Sequence, residues 1–74
     1  MTRYEKEKKL LKALNLKDGD EIIITEKMNY LHEDCFEIVD TGNWIYLVCY
    51  DTQYIVEAYY LLLLDWEKVK EHDN

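Results

Sequence analysis

The chain has 74 residues and a formal net charge of −7 at pH 7, and 49% of its residues are hydrophobic, 14% aromatic and 34% charged. This length gives one small domain with a single core, and the aromatic content is unlike that of a disordered chain. Two glycines are too few for a glycine-rich phosphate loop. The longest apolar runs, residues 44–50 and 58–64, are far shorter than the ~20 residues that cross a bilayer.

The charges are unevenly distributed along the chain. Residues 1–17 carry six basic and two acidic side chains, whereas residues 18–74 carry three basic and fourteen acidic ones. The chain therefore consists of a basic leader with a net charge of +4 and an acidic body with a net charge of −11. Because attraction to phosphate supplies most nonspecific affinity for nucleic acid, this body disfavours DNA, RNA and anionic lipid and favours a basic protein surface.

The N-terminus and the cysteines indicate the compartment. The first residues are charged and polar, with no apolar segment of the kind that follows the start of a secretory signal. Cys35 and Cys49 both lie within strand-like apolar patterns. We therefore expect reduced, buried thiols and a cytoplasmic protein.

The first predicted element is a helix over residues 3–14. Thr2, followed by Glu5 three positions later, is a capping-box pattern, and Asn15 is a suitable stop. The lysines lie on the remaining faces and concentrate toward the C-terminal half, where they suit the helix dipole. The apolar stripe at helical spacing consists of Tyr4, Leu10, Leu11 and Leu14.

Four short strands are predicted after the helix, separated by turns and one loop. A turn over residues 16–20 uses Gly19, and a hairpin turn over residues 41–43 uses Gly42, because such corners need a residue that tolerates a positive φ. A polar loop, residues 27–34, separates the first two strands. The strands, rich in β-branched and aromatic residues, cover residues 21–25, 35–40, 44–50 and 54–58.

Residues 59–64 fit more than one structure. They could continue the fourth strand, form a single 3₁₀ turn that precedes a short last strand, or begin a helix over residues 61–71, whose apolar residues have rough helical spacing. Of these, we favour the turn and the strand, with helical character toward the end. We expect the tail, residues 71–74, to be frayed.

No catalytic or metal-binding constellation is evident. His32 and Cys35 flank Glu33 and Asp34, but one imidazole and one thiol are only two soft ligands, so we interpret the stretch as a polar loop that leads into a strand. The chain has no serine, and no nucleophile is paired with an oriented base. We expect no enzyme activity, no metal and no cofactor.

Three stretches within residues 14–64 are similar to motifs of the Src-homology-3 family. Residues 14–24 (LNLKDGDEIII) resemble L-x-F-x-x-G-D-x-I-x-V, and residues 42–45 (GNWI) place Trp44 where the family has its groove tryptophan. Residues 54–61 (YIVEAYYL) resemble G-x-x-P-x-N-Y-V, in which a short 3₁₀ turn precedes the last strand.

The resemblance implies an α+β fold in which the N-terminal helix packs on a small antiparallel, partly closed barrel of four or five strands. The family's opening A-L-Y-D-Y strand is absent, and Glu57 stands in place of the signature proline. Peptide-binding members of the family hold polyproline in an aromatic groove, and of the residues that form it only Trp44 and Tyr60 are carried over to this chain. We therefore do not expect polyproline binding. The chain is then organised as a single domain, 1–74, with a basic helix, 3–14, and an acidic barrel-like body, 16–70.

Alternation along the third strand separates two faces. Ile45, Leu47 and Cys49 form the better core face. The opposite face, which we call the aromatic face, consists of Trp44, Tyr46, Val48 and Tyr50. It is either open for recognition, together with Tyr54 and Tyr60, or covered by the apolar stripe of the N-terminal helix. We favour the second arrangement.

These patterns predict a non-enzymatic protein-binding domain. Its size and charge fit a small phage or mobile-element accessory or inhibitor protein that docks on a basic, nucleic-acid-binding surface of a host protein, with anti-CRISPR-type mimicry of nucleic acid as one form. The predicted partner-binding residues are an acidic face (Glu33, Asp34, Glu37, Asp40, Asp51 and Glu57) and aromatic anchors (Trp44, Tyr46, Tyr50, Tyr54 and Tyr60).

Two alternative functions remain open, and neither involves a membrane. In one, the basic helix of one copy packs on the acidic body of another, which gives a self-associating module. In the other, the basic helix itself binds nucleic acid.

Overall fold

A computed structural model describes residues 1–69 as an α+β domain with two helices and five strands. The strands form an antiparallel sheet in the order β4-β3-β2-β1-β5, and the two edge strands, β4 and β5, do not pair, so the sheet is not closed. The elements are α1 (Arg3–Ala13), β1 (Glu21–Ile24), β2 (Cys35–Asp40), β3 (Ile45–Cys49), β4 (Tyr54–Glu57), α2 (Tyr60–Leu63) and β5 (Trp66–Lys68).

Helix α1 is bounded by the residues that the capping pattern predicts. The Glu5 N–H donates to the Thr2 hydroxyl at 3.1 Å, and the Glu5 carboxylate accepts from the Thr2 N–H at 3.3 Å, which completes the capping box. At the other end Asn15 has a left-handed φ of 59°, and the Leu16 N–H donates to the Leu11 carbonyl at 2.8 Å. The predicted helix over residues 3–14 is confirmed to within one residue.

The predicted strands are also confirmed, with small changes at their ends. Strand β2 has the predicted bounds, whereas Thr25, Trp44, Tyr50 and Ala58 lie just outside the strands to which they were assigned. Gly19 and Gly42 have φ values of 88° and 94°, which are the conformations that their turns require.

The segment after β4 is a one-turn α-helix followed by a strand, so the predicted order of a turn and a last strand is confirmed, although the turn is α-helical rather than 3₁₀. A continued fourth strand, a helix over residues 61–71 and helical character at residues 66–68 are wrong. Leu64 is extended, with φ −119° and ψ 147°, and β5 then pairs with β1 in the register Ile24 to Trp66. The indole N–H of Trp66 donates to the Leu61 carbonyl at 3.0 Å, which fixes the corner. The tail expected to fray, residues 71–74, lies outside the described residues.

The core lies on one side of the sheet, and α1 packs on that same side. Leu11 of α1 is buried together with alternate residues of β1, β2 and β3. The prediction that α1 covers the aromatic face is therefore wrong. The helix instead covers the face with the larger apolar area, which gains more from burial. The core consists of Leu11, Leu16, Ile22, Ile24, Leu31, Phe36, Ile38, Ile45, Leu47, Cys49, Ala58 and Leu61.

The two cysteines lie in different environments. Cys49 is buried, as predicted, but Cys35 is exposed, and neither forms a disulfide. Because neighbouring residues of a strand point to opposite faces, burial of Phe36 turns the Cys35 side chain away from the core. Within residues 1–69, neither helix has the length and apolar content needed to cross a membrane.

Candidate functional site

The side of the sheet that faces away from the core is not covered by either helix in the described part of the chain. Its apolar residues do not belong to the core cluster, whereas Leu11 of α1 and Leu61 of α2 both do. We call this surface the open sheet face. The strand register places on it Glu21, Ile23, Cys35, Glu37, Val39, Tyr46, Val48, Ile55, Glu57 and Glu67, and Tyr50 joins it just after β3. Glu57 lies at the end of the edge strand β4, where Arg3 of α1 reaches it.

An apolar strip crosses the open sheet face from β2 to β4. Val39 lies opposite Tyr46, and Val48 lies opposite Ile55, so their side chains are cross-strand neighbours. Ile55 is 64% exposed and Tyr50 is 67% exposed, whereas Val39, Tyr46 and Val48 are partly buried. The strip therefore offers apolar and aromatic area that the domain buries only in part, most of it at Ile55 and Tyr50.

Two carboxylates lie side by side next to this strip. Glu21 and Glu37 occupy directly opposite positions on β1 and β2, where like charges repel. The Cys35 thiol donates to Glu21 at 3.3 Å, and the Tyr50 hydroxyl donates to Glu37 at 2.6 Å. Neither glutamate forms an ion pair with any residue in 1–69, so their negative charge is not neutralised there.

The pKa values of the two neutral donors reflect these contacts. Although the Cys35 residue is exposed overall, its thiol loses part of its hydration against the sheet. This desolvation, followed by the hydrogen bond to Glu21, raises the pKa of the thiol to about 11. The hydrogen bond to Glu37 is the main cause of the raised pKa of the Tyr50 hydroxyl. Both groups remain protonated at neutral pH, so they act as hydrogen-bond donors and Cys35 is a poor nucleophile.

Two carboxylates of the predicted acidic face are instead bound by α1. Asp40 accepts from the Tyr4 hydroxyl at 2.9 Å and pairs with Lys8 at 3.0 Å, and Glu57 pairs with Arg3 at 2.8 Å. The Gly42 N–H is the main cause of the lowered pKa of Asp40, followed among the stabilising contacts by Lys8 and Tyr4. The structure therefore divides the predicted acidic face into neutralised and free parts.

The other predicted acidic residues lie in loops. Glu33, with a left-handed φ of 71°, is 3.6 Å from the His32 imidazole in the loop before β2, and Asp34 follows it. Asp51 is exposed in the turn after Tyr50. Within residues 1–69 no three His, Cys, Asp or Glu side chains come together in an arrangement that would hold a metal ion.

The predicted aromatic anchors are dispersed, and only Tyr46 and Tyr50 lie on the open sheet face. Trp44 is half-exposed beside Tyr4 and Gly42. Tyr54 packs edge-on against Tyr30, with ring centroids 5.9 Å apart. Tyr60 packs on the core and on Tyr59, whose ring centroid is 5.1 Å away.

A further carboxylate, which the sequence analysis did not single out, is buried in a cleft between α1 and α2. The Glu7 side chain lies beside Leu10, Tyr59 and Leu62 in a cavity of about 360 Å³. One of its oxygens is 3.8 Å from Arg3, and the other has no hydrogen-bond partner among the described residues. Burial raises the pKa of this carboxyl.

Charge and aromaticity do not identify most members of the open sheet face, because these members come together only through strand pairing. Glu21, Ile23, Cys35 and Ile55 join the site only when the strands are in register. The period-two alternation of a strand is the signal in the sequence that could have found them, since it places Ile23 opposite in direction to Ile22 and Ile24. Comparison of the chain with protein-family models, with curated proteins and with solved structures finds no match.

Proposed function

We propose that this chain is a non-enzymatic protein-binding domain that docks through the open sheet face. The observation that carries the proposal is the uncovered apolar strip beside two carboxylates, Glu21 and Glu37, that have no cationic partner in the described chain. A surface that is both apolar and acidic fits a partner surface that is apolar at its centre and carries lysine or arginine beside it.

The two parts of the face have different roles in this proposal. The apolar strip, with Tyr46 and Tyr50, supplies the area whose burial holds the complex together. Glu21 and Glu37 would be costly to bury without a counter-charge, so they exclude partners that lack basic groups at that position. They also speed association with a basic partner, and salt weakens this effect.

A narrower form of the proposal concerns the kind of partner and the fold. The small size and the net charge of −7 support a phage or mobile-element inhibitor that covers a basic, nucleic-acid-binding surface of a host protein in the cytoplasm. The short helix Tyr60–Leu63 before the last strand supports a Src-homology-3-like barrel. Trp44 and Tyr60, the two positions of that family's polyproline groove that this chain retains, do not lie on the open sheet face, so the proposed binding mode differs from polyproline binding.

The proposal is tested by site-specific crosslinking followed by measurement of affinity. A photoreactive amino acid replaces Tyr46 on the open sheet face, or Tyr59 beside α1 as a matched control, and each protein is irradiated in a lysate of the organism that encodes it. A partner that crosslinks at Tyr46 and not at Tyr59 is then purified and titrated with the unmodified chain.

The titration compares two double variants that remove the same charge. We expect Glu21→Gln/Glu37→Gln to weaken binding by about tenfold or more at low salt and by less at high salt, because the lost attraction is screened. Glu33→Gln/Asp65→Asn removes two carboxylates away from the face and should leave the affinity unchanged. Equal loss in both variants, or a partner without exposed basic residues, would contradict docking through this face.

A further inference from the structure

A second charged surface of opposite sign lies at the C-terminal end of α1. It is a groove of about 520 Å³ between the helix, the turn that follows it and the end of β5. We call it the lysine groove. Five of the nine basic side chains of the chain line it: Lys8, Lys9, Lys12, Lys17 and Lys68.

The carboxylates around the lysine groove neutralise only part of its charge. Asp20, which also lines the groove, pairs with Lys68 at 3.3 Å, and Lys8 is held by Asp40 at 3.0 Å. Lys9, Lys12 and Lys17 form no ion pair with any residue in 1–69. Three lysines that form no ion pair within residues 1–69 therefore line one cavity of a protein whose net charge is negative.

The helix dipole does not account for this arrangement by itself. Cations are stabilised at the C-terminal end of a helix, which explains the position of Lys12. Lys17 lies beyond the helix, and Lys68 comes from the far end of the described chain. The fold brings both to the same cavity, where Asp20 and the Asn15 carbonyl hold the Lys68 ammonium at 3.3 and 3.4 Å. An anionic ligand would offset the repulsion among the lysines that have no ion pair.

We propose that the lysine groove binds the phosphate groups of a nucleotide, either free or within a nucleic acid strand. Lysine ammonium groups are compact charges that bind phosphate well, and a cavity of this size fits a nucleotide. Leu11 and Leu16 also line the groove, so a small part of its wall is apolar, next to which the base or sugar lies while the phosphates meet the lysines.

This inference does not depend on docking through the open sheet face. The lysine groove shares no residue with that face, and its ligand has the opposite charge from a basic protein. Failure of either proposal therefore leaves the other standing. If both hold, the chain links an apolar, basic protein surface to a phosphate-bearing ligand through two separate sites.

The test is a titration of the isotope-labelled chain, followed by nuclear magnetic resonance, with three probes: tripolyphosphate, ATP and a short single-stranded DNA. We expect all three to shift the backbone amide signals of Lys9, Lys12 and Lys17. Lys12→Gln/Lys17→Gln should weaken each affinity by about tenfold and lower the slope of log affinity against log salt by about 2. Lys12→Arg/Lys17→Arg should restore binding.

A matched control removes the same charge outside the groove. Lys6→Gln/Lys27→Gln should leave the affinity of all three probes unchanged, because neither side chain lines the lysine groove. Tighter binding of ATP than of DNA, compared per phosphate, assigns the groove to a free nucleotide, and the reverse order assigns it to a nucleic acid strand.

Two results would overturn the inference. The first is equal loss of affinity in the groove variant and the control, which would mean nonspecific attraction. The second is no binding of any probe at about 50 mM salt, where attraction to phosphate is strong. If the unmodified chain binds no probe but forms a dimer, and Lys12→Gln/Lys17→Gln abolishes that dimer, the groove binds the acidic face of a second copy instead.

Discussion

Carboxylates near α1 and carboxylates in the middle of the open sheet face have different partners. Near α1, Asp40 meets Lys8 and Tyr4, and Glu57, which lies opposite Tyr46 at the end of β4, meets Arg3. On β1 and β2, Glu21 and Glu37 meet a thiol and a phenol and form no ion pair within residues 1–69. Net charge alone would treat all of these groups as equal, but only the second pair is available to attract a basic partner.

Apolar residues also differ in burial between the two faces of the sheet, and adjacent positions of β3 test this difference. Leu47 is fully buried, whereas Val48 lies on the open sheet face. We expect Leu47→Ala to lower the free energy of unfolding by about 3 kcal/mol, and Val48→Ala by less than about 1 kcal/mol. Urea denaturation of both variants measures the difference. Similar losses would show that the open sheet face is covered.

Asp40 should stabilise the fold in a pH-dependent way. Its pKa is lowered in the folded state by the Gly42 N–H and by Lys8 and Tyr4, so its contribution is present above the unfolded pKa of about 4 and is lost as the pH falls through the lower folded value. We expect Asp40→Asn to lower the free energy of unfolding by about 2 kcal/mol at pH 7.

The control for this prediction is Asp51→Asn, which changes the net charge equally at an exposed turn position. It should leave the free energy of unfolding unchanged at pH 7. The measurement is denaturant unfolding at a series of pH values from neutral to acid. A loss in Asp40→Asn that stays constant down to the lowest pH would exclude an ionised Asp40 as its source.

The smallest expected effect has the opposite sign and concerns the open sheet face. Because Glu21 and Glu37 repel each other across β1 and β2, Glu21→Gln should raise the free energy of unfolding by roughly 0.5 kcal/mol at low salt. The gain should disappear at high salt, where the repulsion is screened. Glu33→Gln, which has no such neighbour, serves as the control, and a matching gain there would indicate a general charge effect.

Local sequence patterns predicted the elements well because capping and alternation depend on neighbouring residues. Thr2 and Glu5 begin the helix as expected, and β2 has the predicted bounds. Cys35 was predicted to be buried because it lies in a strand-like apolar pattern, but its position next to the buried Phe36 turns its side chain to the opposite face. The alternation of side-chain direction along the strand was therefore a more reliable signal of burial than the apolar pattern around the residue.

The candidate sites were less predictable because they depend on contacts between distant segments. Asp40 was assigned to the free acidic face, and only the docking of α1 shows that Lys8 neutralises it. The lysine groove needs Lys68, which reaches the end of α1 through the pairing of β5 with β1. The composition gave the correct net charge, but it did not show which charged side chains are free and which are neutralised in the fold.

The pairing of β1 with β5 also has a consequence for the order in which the chain folds. Strands β2, β3 and β4 form from successive hairpins with short loop closures, whereas Ile24 must find Trp66 across most of the described chain. Until that long closure is made, β1 presents an unpaired edge. We therefore expect the β5–β1 ladder to form late and to set the folding rate, and a nascent chain without β5 to be the species most prone to aggregation.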